Sequence, residues 1–351
     1  MNGYAKAVCL MFSAALLLLP ILGLQSGNAA GAPPSLPYRQ AGVLFADNGG
    51  QHAKFGYTIA AEDDVAVIGA PGRIIAHDNG GAYVFHRGPN GWAQTAFIPP
   101  PGDLHEGWFG AALALDGDTL AVAAPNAVGD DGESTGAVLV YIYDGATWQL
   151  QAKLTPPEPL DYPHYGRTLD LDGDTLLVAA RNTSYPALAH VVYVYNRAGA
   201  GWTQQGALIA PDDHANFGAG MAVSGDVALV GAPGYADDPA PYDRGAVYVY
   251  TRTGGAWSPA GTIAPADGEQ GDNFGAALDF DGATAVVTAS PDATRPIFLP
   301  RAYVFSRDGN VWTQATRLNP AYGETPVLLD NVVLDGNRIL LGALIDAHPA
   351  S

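Results

Sequence analysis

FGAGMAVSGDVALVGAP, residues 217–233, decides the architecture of this chain. From Phe217 to Val223 apolar side chains alternate with small ones, which reads as a strand. Ser224-Gly225-Asp226 is a tight turn. Val227 to Gly231 is a second strand, apolar enough to be buried on both faces. It stops at Gly231-Ala232-Pro233, because proline cannot donate to a ladder. After a loop, GAVYVY from Gly245 to Tyr250 is a third strand, and Arg252-Thr253-Gly254-Gly255 turns the chain. Trp257 opens a fourth, which runs through Ile263 to Ala264-Pro265. The unit is thus four strands, A to D, with no helical pattern between them.

The same unit recurs roughly every 55 residues. Aromatic-glycine pairs stand at Phe55-Gly56, Phe109-Gly110, Tyr165-Gly166, Phe217-Gly218 and Phe274-Gly275. The other copies keep the turn signal: Glu62-Asp63-Asp64, Asp116-Gly117-Asp118, Asp172-Gly173-Asp174, Asp281-Gly282 and, in a partial sixth copy, Asp335-Gly336. Asp-Gly tolerates the positive φ that a two-residue hairpin loop requires. Strand B ends at Gly69-Ala70-Pro71, Ala123-Ala124-Pro125, Ala179-Ala180-Arg181 and Ala289-Ser290-Pro291, and strand D carries Trp92, Trp148, Trp202, Trp257 and Trp312.

Four strands per repeat with no helices predict an all-β fold, a β-propeller of four-stranded blades. Blades bury both faces against neighbours, which accounts for 48% hydrophobic and only 15% charged residues. The Phe-Gly ring should fill the space between sheets while its glycine lets backbones approach, and the recurrent tryptophans should act as wedges between blades. Five copies are complete. A partial sixth begins near Leu328 and runs to Gly342-Ala343, and Gln40 to Ala46 looks like a lone strand D. The expectation is a six-bladed ring with an incomplete seam blade of three strands. The rival is a truncated chain, since an unpaired edge at the seam invites aggregation.

Phe-Gly, then Gly-Ala-Pro about fourteen residues on, then Gly-Ala-x-x-Val-Tyr, resembles the FG-GAP repeat of the integrin α-subunit β-propeller, in particular its bacterial secreted relatives. The resemblance runs from about Gln40 to Ala343 and implies the propeller. Some integrin repeats carry a calcium loop between the first two strands. Here that connection is a turn such as Asp116-Gly117-Asp118-Thr119, too short to supply six to eight oxygen ligands. The integrin calcium site is therefore not carried over, and the turn aspartates are expected to set turn geometry.

Residues 1–32 read as a secretory signal peptide: Lys6, an apolar stretch from Val8 to Leu24 broken at Pro20, then Ala30-Gly31-Ala32 as the small-residue cleavage site. The propeller would occupy 33–351, outside the cell or on its surface. Cys9, the single cysteine, would leave with the leader, so no disulfide is expected. Sixteen basic against 35 acidic residues, a net charge of −19, argue against nucleic acid and anionic membranes as partners.

Strand alternation puts the A–B and C–D turns on one face and the long, variable B–C and D–A loops on the other. Loops on a rigid frame carry binding residues, so the long-loop face is the expected ligand face, with Trp108, Asp237, Asp238 and Asp243 as candidate contacts. Asp267, Glu269 and Asp272 add to its acidity. Asp130, Asp131 and Glu133 offer hard oxygen ligands, with calcium the candidate ion. No zinc-protease, phosphate-loop or nucleophile-elbow motif is present. His52, His105, His164 and His214 recur just before the aromatic-glycine pairs, which suggests a loop role. The reading is a secreted, non-catalytic propeller that binds an extracellular protein or glycan. The alternative is a polysaccharide hydrolase or lyase with perturbed carboxylates in the central funnel.

Overall fold

The computed structural model describes residues 17–20, 43–47, 54–72, 80–102, 104, 107–128, 132, 135–157, 164–181, 190–210, 216–234, 244–269, 271–290, 300–319, 327–335 and 338–345. It is an all-β propeller. Strand β1 is Leu17–Pro20. Blade 1 comprises β2 (Thr58–Glu62), β3 (Val65–Gly69), β4 (Ala82–Gly88) and β5 (Gly91–Ile98). Blade 2 comprises β6 (Leu113–Asp116), β7 (Thr119–Ala124), β8 (Ala137–Tyr143) and β9 (Trp148–Leu154). Blade 3 comprises β10 (Leu169–Asp172), β11 (Thr175–Arg181), β12 (His190–Ala198) and β13 (Gly201–Ile209). Blade 4 comprises β14 (Met221–Ser224), β15 (Val227–Ala232), β16 (Ala246–Thr253) and β17 (Ala256–Ile263). Blade 5 comprises β18 (Phe274–Phe280), β19 (Thr284–Ala289), β20 (Arg301–Asp308) and β21 (Val311–Leu318). The last hairpin is β22 (Val327–Asp335) and β23 (Arg338–Ile345).

Each blade is an antiparallel meander, and the innermost strands meet in ring order from β2 through β6, β10, β14 and β18 to β22. All five C–D pairs shift register at the same place, as at Val84/Phe85 and Val249/Tyr250. Such a bulge adds twist to the outer strand. The core lies between sheets: successive apolar clusters bridge blades 1 and 2, 2 and 3, 3 and 4, 4 and 5, and blade 5 with the last hairpin.

The expected six-bladed ring needs two corrections. Five sheets have four strands, and the sixth has three, ordered β1-β23-β22. Its third strand is Leu17–Pro20, within the segment read as a leader, paired Leu19 to Ile339. Residues 43–46, expected as a strand D, carry no strand. Leu44 and Ala46 instead pack beside Phe55 and Phe97 on the outer face of blade 1, where burying apolar side chains outweighs ladder pairing. Beyond that cover, Ile59 of β2 stays 54% exposed.

The Phe-Gly motif works as expected. Phe109, Tyr165, Phe217 and Phe274 are wholly buried. In the first four copies the glycine N–H docks on the end of strand B, Gly110 N on Ala123 O at 2.9 Å and Gly218 N on Gly231 O at 2.8 Å. It also faces the preceding blade: a Cβ on Gly110 would sit 2.5 Å from Gly81 O.

The short-turn face holds the ring together. The first turn carboxylates do more than shape their own turns. Glu62, Asp116 and Asp172 accept from the N–H of Gly117, Gly173 and Gly225 in the next blade, at 2.5, 2.6 and 2.7 Å. The second carboxylates, Asp64, Asp174 and Asp226, accept from Arg87, Arg197 and Arg252 at 2.7, 2.6 and 2.7 Å. Those guanidinium groups lie over Trp92, Trp202 and Trp257 at 5.6, 5.8 and 5.2 Å. Three of the five recurrent tryptophans are therefore shelves for arginine, and Trp148, Trp202, Trp257 and Trp312 also pack into the apolar clusters between blades, as expected of wedges.

Candidate functional site

The residue before each aromatic-glycine pair is held in the left-handed region: Lys54, Trp108, His164, Asn216 and Asn273 have φ of 53, 61, 35, 63 and 51°. In the first four copies its carbonyl accepts from the N–H three residues on, from Tyr57, Ala111, Arg167 and Ala219 at 3.0 to 3.1 Å. The aromatic then occupies the second position of a type II turn, and the glycine the third, where φ is 83 to 93°. The corner leaves its first residue pointing outward in a conformation that only glycine and asparagine adopt cheaply. Blades 4 and 5 use asparagine. Blades 1, 2 and 3 use lysine, tryptophan and histidine, each at a strain of about 1–2 kcal/mol. Strain kept at three consecutive corners makes them candidates for a functional site.

The three strained corners converge. A cleft of ≈ 210 Å³ on the long-loop face is lined by Tyr57, Trp108, Ala111, Pro125, Asn126, His164 and Arg167. The Lys54 ammonium sits 4.7 Å from the Trp108 ring centroid and 5.4 Å from that of Tyr57. Tyr57 is 51% exposed. Arg167 is positioned by donating from Nη2 to the carbonyls of Asn216 and Phe217, both at 3.3 Å. Asn126 is fixed by its N–H on Gly107 O at 3.0 Å, and Leu104 is fully buried in the cluster below. Among the described residues the buried indole Nε1 of Trp108 meets no acceptor, as is also true of Trp148 and Trp257. Among the described residues lining the cleft none is acidic.

Of the candidate contacts read from sequence, Trp108 lies in this cleft. Asp237, Asp238 and Asp243 lie outside the described residues, as do Asp130, Asp131 and Glu133. Among the described residues no three His, Cys, Asp or Glu side chains gather as a metal site. The blade 5 acids counted towards the ligand face are engaged: Asp272, 1% exposed, accepts from Arg301 at 3.4 Å, and Asp267 pairs with Arg317. Lys54, Tyr57, Asn126 and Arg167 were not anticipated. The readable signal was the slot before the aromatic, where Asn216 and Asn273 reveal the left-handed demand that Lys54, Trp108 and His164 defy.

A second set of perturbed groups lies on the inner strands. Leu169 and Leu171 face blade 2, so Asp170 alternates towards blade 4, where its Oδ2 accepts from Val223 N at 2.6 Å. Asp279 accepts from Leu334 N at 2.7 Å in the same way. Ala114 and Ala222 hold the equivalent register in blades 2 and 4. Burial pushes the Asp170 carboxyl well above its ordinary value, the Val223 N–H opposes this, and the charge of Asp279 adds to the rise. Burial likewise raises Asp279 against the N–H groups of Leu334 and Phe280.

Three stretches, residues 38–85, 202–250 and 257–305, match the FG-GAP repeat family model. No curated protein sequence matches the chain. Among solved structures it is similar to the β-propeller domain of the Trilobed protease from Pyrococcus furiosus, described as having an open velcro topology. That match has a TM-score of 0.50 and 10% identity, covering 85% of this chain and 79% of that one. The uncomplexed acylaminoacyl peptidase of Pyrococcus horikoshii gives 0.49 at 11% identity, over 83% of this chain and 43% of that one. The sucrose-6-phosphate hydrolase of Lactobacillus gasseri gives 0.41 at 13% identity, over 71% and 57%. At such identities the likeness to the protease domain concerns the propeller fold alone.

Proposed function

We propose that this propeller of FG-GAP repeats is a secreted, non-catalytic binding protein that takes an extracellular protein or glycan through its long-loop face. The cleft across blades 1 to 3 is the binding point. One observation carries this: three adjacent corners give up the asparagine that their backbone favours, and of the side chains installed there Trp108 and His164 line one cleft while Lys54 lies against its Trp108 and Tyr57 rings. The short-turn face is occupied by contacts between blades, which leaves the opposite face for a ligand. Residues 1–32 serve as the leader, and with it removed the β22–β23 hairpin is the incomplete seam blade of a six-bladed ring. The test is a glycan array together with a pull-down, using the full chain beside Trp108→Ala. A ligand held by the first and lost by the second supports the reading. Ligands held equally by both, or by neither, overturn it.

A second reading, a polysaccharide-acting hydrolase, draws on the raised carboxyls of Asp170 and Asp279. Each, however, spends an oxygen on a main-chain N–H of the next blade, which suits a link between blades better than an acid or base. Release of reducing sugar by the full chain that disappears in Asp170→Asn would favour the hydrolase.

A further inference from the structure

We infer that the edge of β23 is a docking site for an extended β-strand of a partner protein, one that alternates aromatic and β-branched side chains and completes the seam blade as its strand C. This goes beyond the cleft and rests only on the leader reading above. In the other five blades the strand paired with strand B has one pattern at its centre, a bulky residue, valine and an aromatic. The triplets are Tyr83-Val84-Phe85, Leu139-Val140-Tyr141, Tyr193-Val194-Tyr195, Tyr248-Val249-Tyr250 and Tyr303-Val304-Phe305. In the seam sheet Leu17-Leu18-Leu19 takes that place, opposite Leu341, Leu340 and Ile339. The registers correspond, since Asp335 opposite Arg338 closes this hairpin as Ser224 opposite Val227 closes that of blade 4. The β23 edge therefore already pairs with an apolar antiparallel strand, and that strand belongs to the segment read as the leader. Its removal leaves the strand-C place open, and an open edge is a template for another chain.

Both flanks of the slot suit such a strand. Ala302 and Val304 of β20 hold the places of Val247 and Val249, which pack in one cluster with Tyr303 and Phe305 of the following strand C. They thus offer a small face to two bulky side chains of the incoming strand, and they already share a cluster with Ile339 and Leu341. On the blade 1 side, Leu44 stands eleven residues before Phe55, as Ile263 stands before Phe274. Each packs in the cluster of the aromatic that follows it. Asp47 N donates to Gln94 Oε1 at 3.0 Å, as Ala266 N just past β17 donates to Gln314 Oε1 at 3.0 Å. Residues 44–47 are thus seated as the end of a strand D. The equivalent of Val43 in blade 1 is Phe97, whose ring lies 4.7 Å from that of Tyr83 in its own strand C. Val43 and Phe45 are exposed instead, and a strand in the slot would give them an apolar neighbour. A second copy pairing β23 with β23 about a two-fold axis would bring its own blade 5 to the face that β20 covers. The slot therefore suits a free strand and not another propeller.

The test uses the full chain expressed with its own leader in a secreting host, its N-terminus read by mass, beside the same chain made without export. The probe is a labelled peptide of residues 245–253, GAVYVYTRT, the chain's own strand C, followed by fluorescence anisotropy. The secreted chain should bind it one to one, about tenfold or more tighter than the peptide carrying Val249→Pro, which cannot complete the ladder. Amide exchange over residues 338–345 should slow about tenfold or more on binding. The unexported chain, whose edge Leu17–Pro20 holds, should bind about tenfold or more weakly than the secreted one. Equal binding of the Val249→Pro peptide, equal binding by the unexported chain, or a secreted chain whose β23 is closed by a stable dimer would overturn the inference. A secreted chain that keeps residues 1–32 removes the leader reading and the open edge with it. One that starts at Pro33 yet binds no peptide keeps the leader reading and overturns the inference alone.

Discussion

Lys54 and Asn216 occupy the same corner of two blades, with φ of 53 and 63° and the same turn hydrogen bond, at 3.1 and 3.0 Å. Exchanging their residue types therefore measures the strain directly. A non-glycine side chain in the left-handed region costs about 1–2 kcal/mol, and asparagine escapes most of that. Against this, Lys54→Asn forfeits a contact with Trp108 and Tyr57 worth about 0.5–1 kcal/mol at an exposed site. The balance is a protein as stable as the parent or up to about 1 kcal/mol more stable. Asn216→Lys imports the strain, so it should lose about 1–2 kcal/mol. Urea unfolding followed by fluorescence at constant m reads both. Lys54→Asn should also weaken whatever ligand the array identifies, which separates stability from binding. The reasoning is refuted if Lys54→Asn destabilises by more than about 1 kcal/mol, or if Asn216→Lys is neutral.

Other outcomes follow from the same geometry. Gly110→Ala puts a Cβ 2.5 Å from Gly81 O at φ 93°, whereas Gly117→Ala meets nothing within 4 Å at φ 56°. Urea midpoints should show a loss of about 3 kcal/mol or more for the first and about 1 kcal/mol for the second. Arg252→Met removes the Asp226 ion pair, the shelf on Trp257 and the 2.9 Å link to Thr175 of the preceding blade. It should cost about 1–2 kcal/mol, read the same way. The raised Asp170 and Asp279 carboxyls bind protons more tightly folded than unfolded. Their contribution is thus full at low pH and is lost as pH rises through their folded values. Unfolding free energies at pH 5 and pH 8 should therefore fall more steeply in the parent than in Asp170→Asn, and equal slopes would contradict the assignment.

Repetition made the sheets legible. Phe217-Gly218, the Ser224-Gly225-Asp226 turn and Gly231-Ala232-Pro233 each name a local backbone need that any copy must meet, so strand ends fall within a few residues of where proline and glycine place them. Contacts between copies were less so. That Asp116 would reach Gly173, or that Arg252 would lie over Trp257, depends on the angle between neighbouring sheets, which spacing along the chain does not encode. The seam escaped for a related reason. Gln40 to Ala46 has strand character, but Leu44 and Ala46 do better against the bare outer face of blade 1. Of the site, Trp108 was singled out because it breaks the tryptophan series. Lys54, Tyr57 and Arg167 became visible only when three corners met in space.

The most direct measurement is the indole N–H spectrum of the full chain, ¹⁵N-labelled, during titration with the ligand that the array identifies. The chain has six tryptophans, and the Trp108 signal is the one missing in Trp108→Phe. It should move and saturate with that ligand and stay still with a sugar or protein that the array does not retain. A Trp108 signal that ignores the identified ligand would contradict the assignment of this cleft.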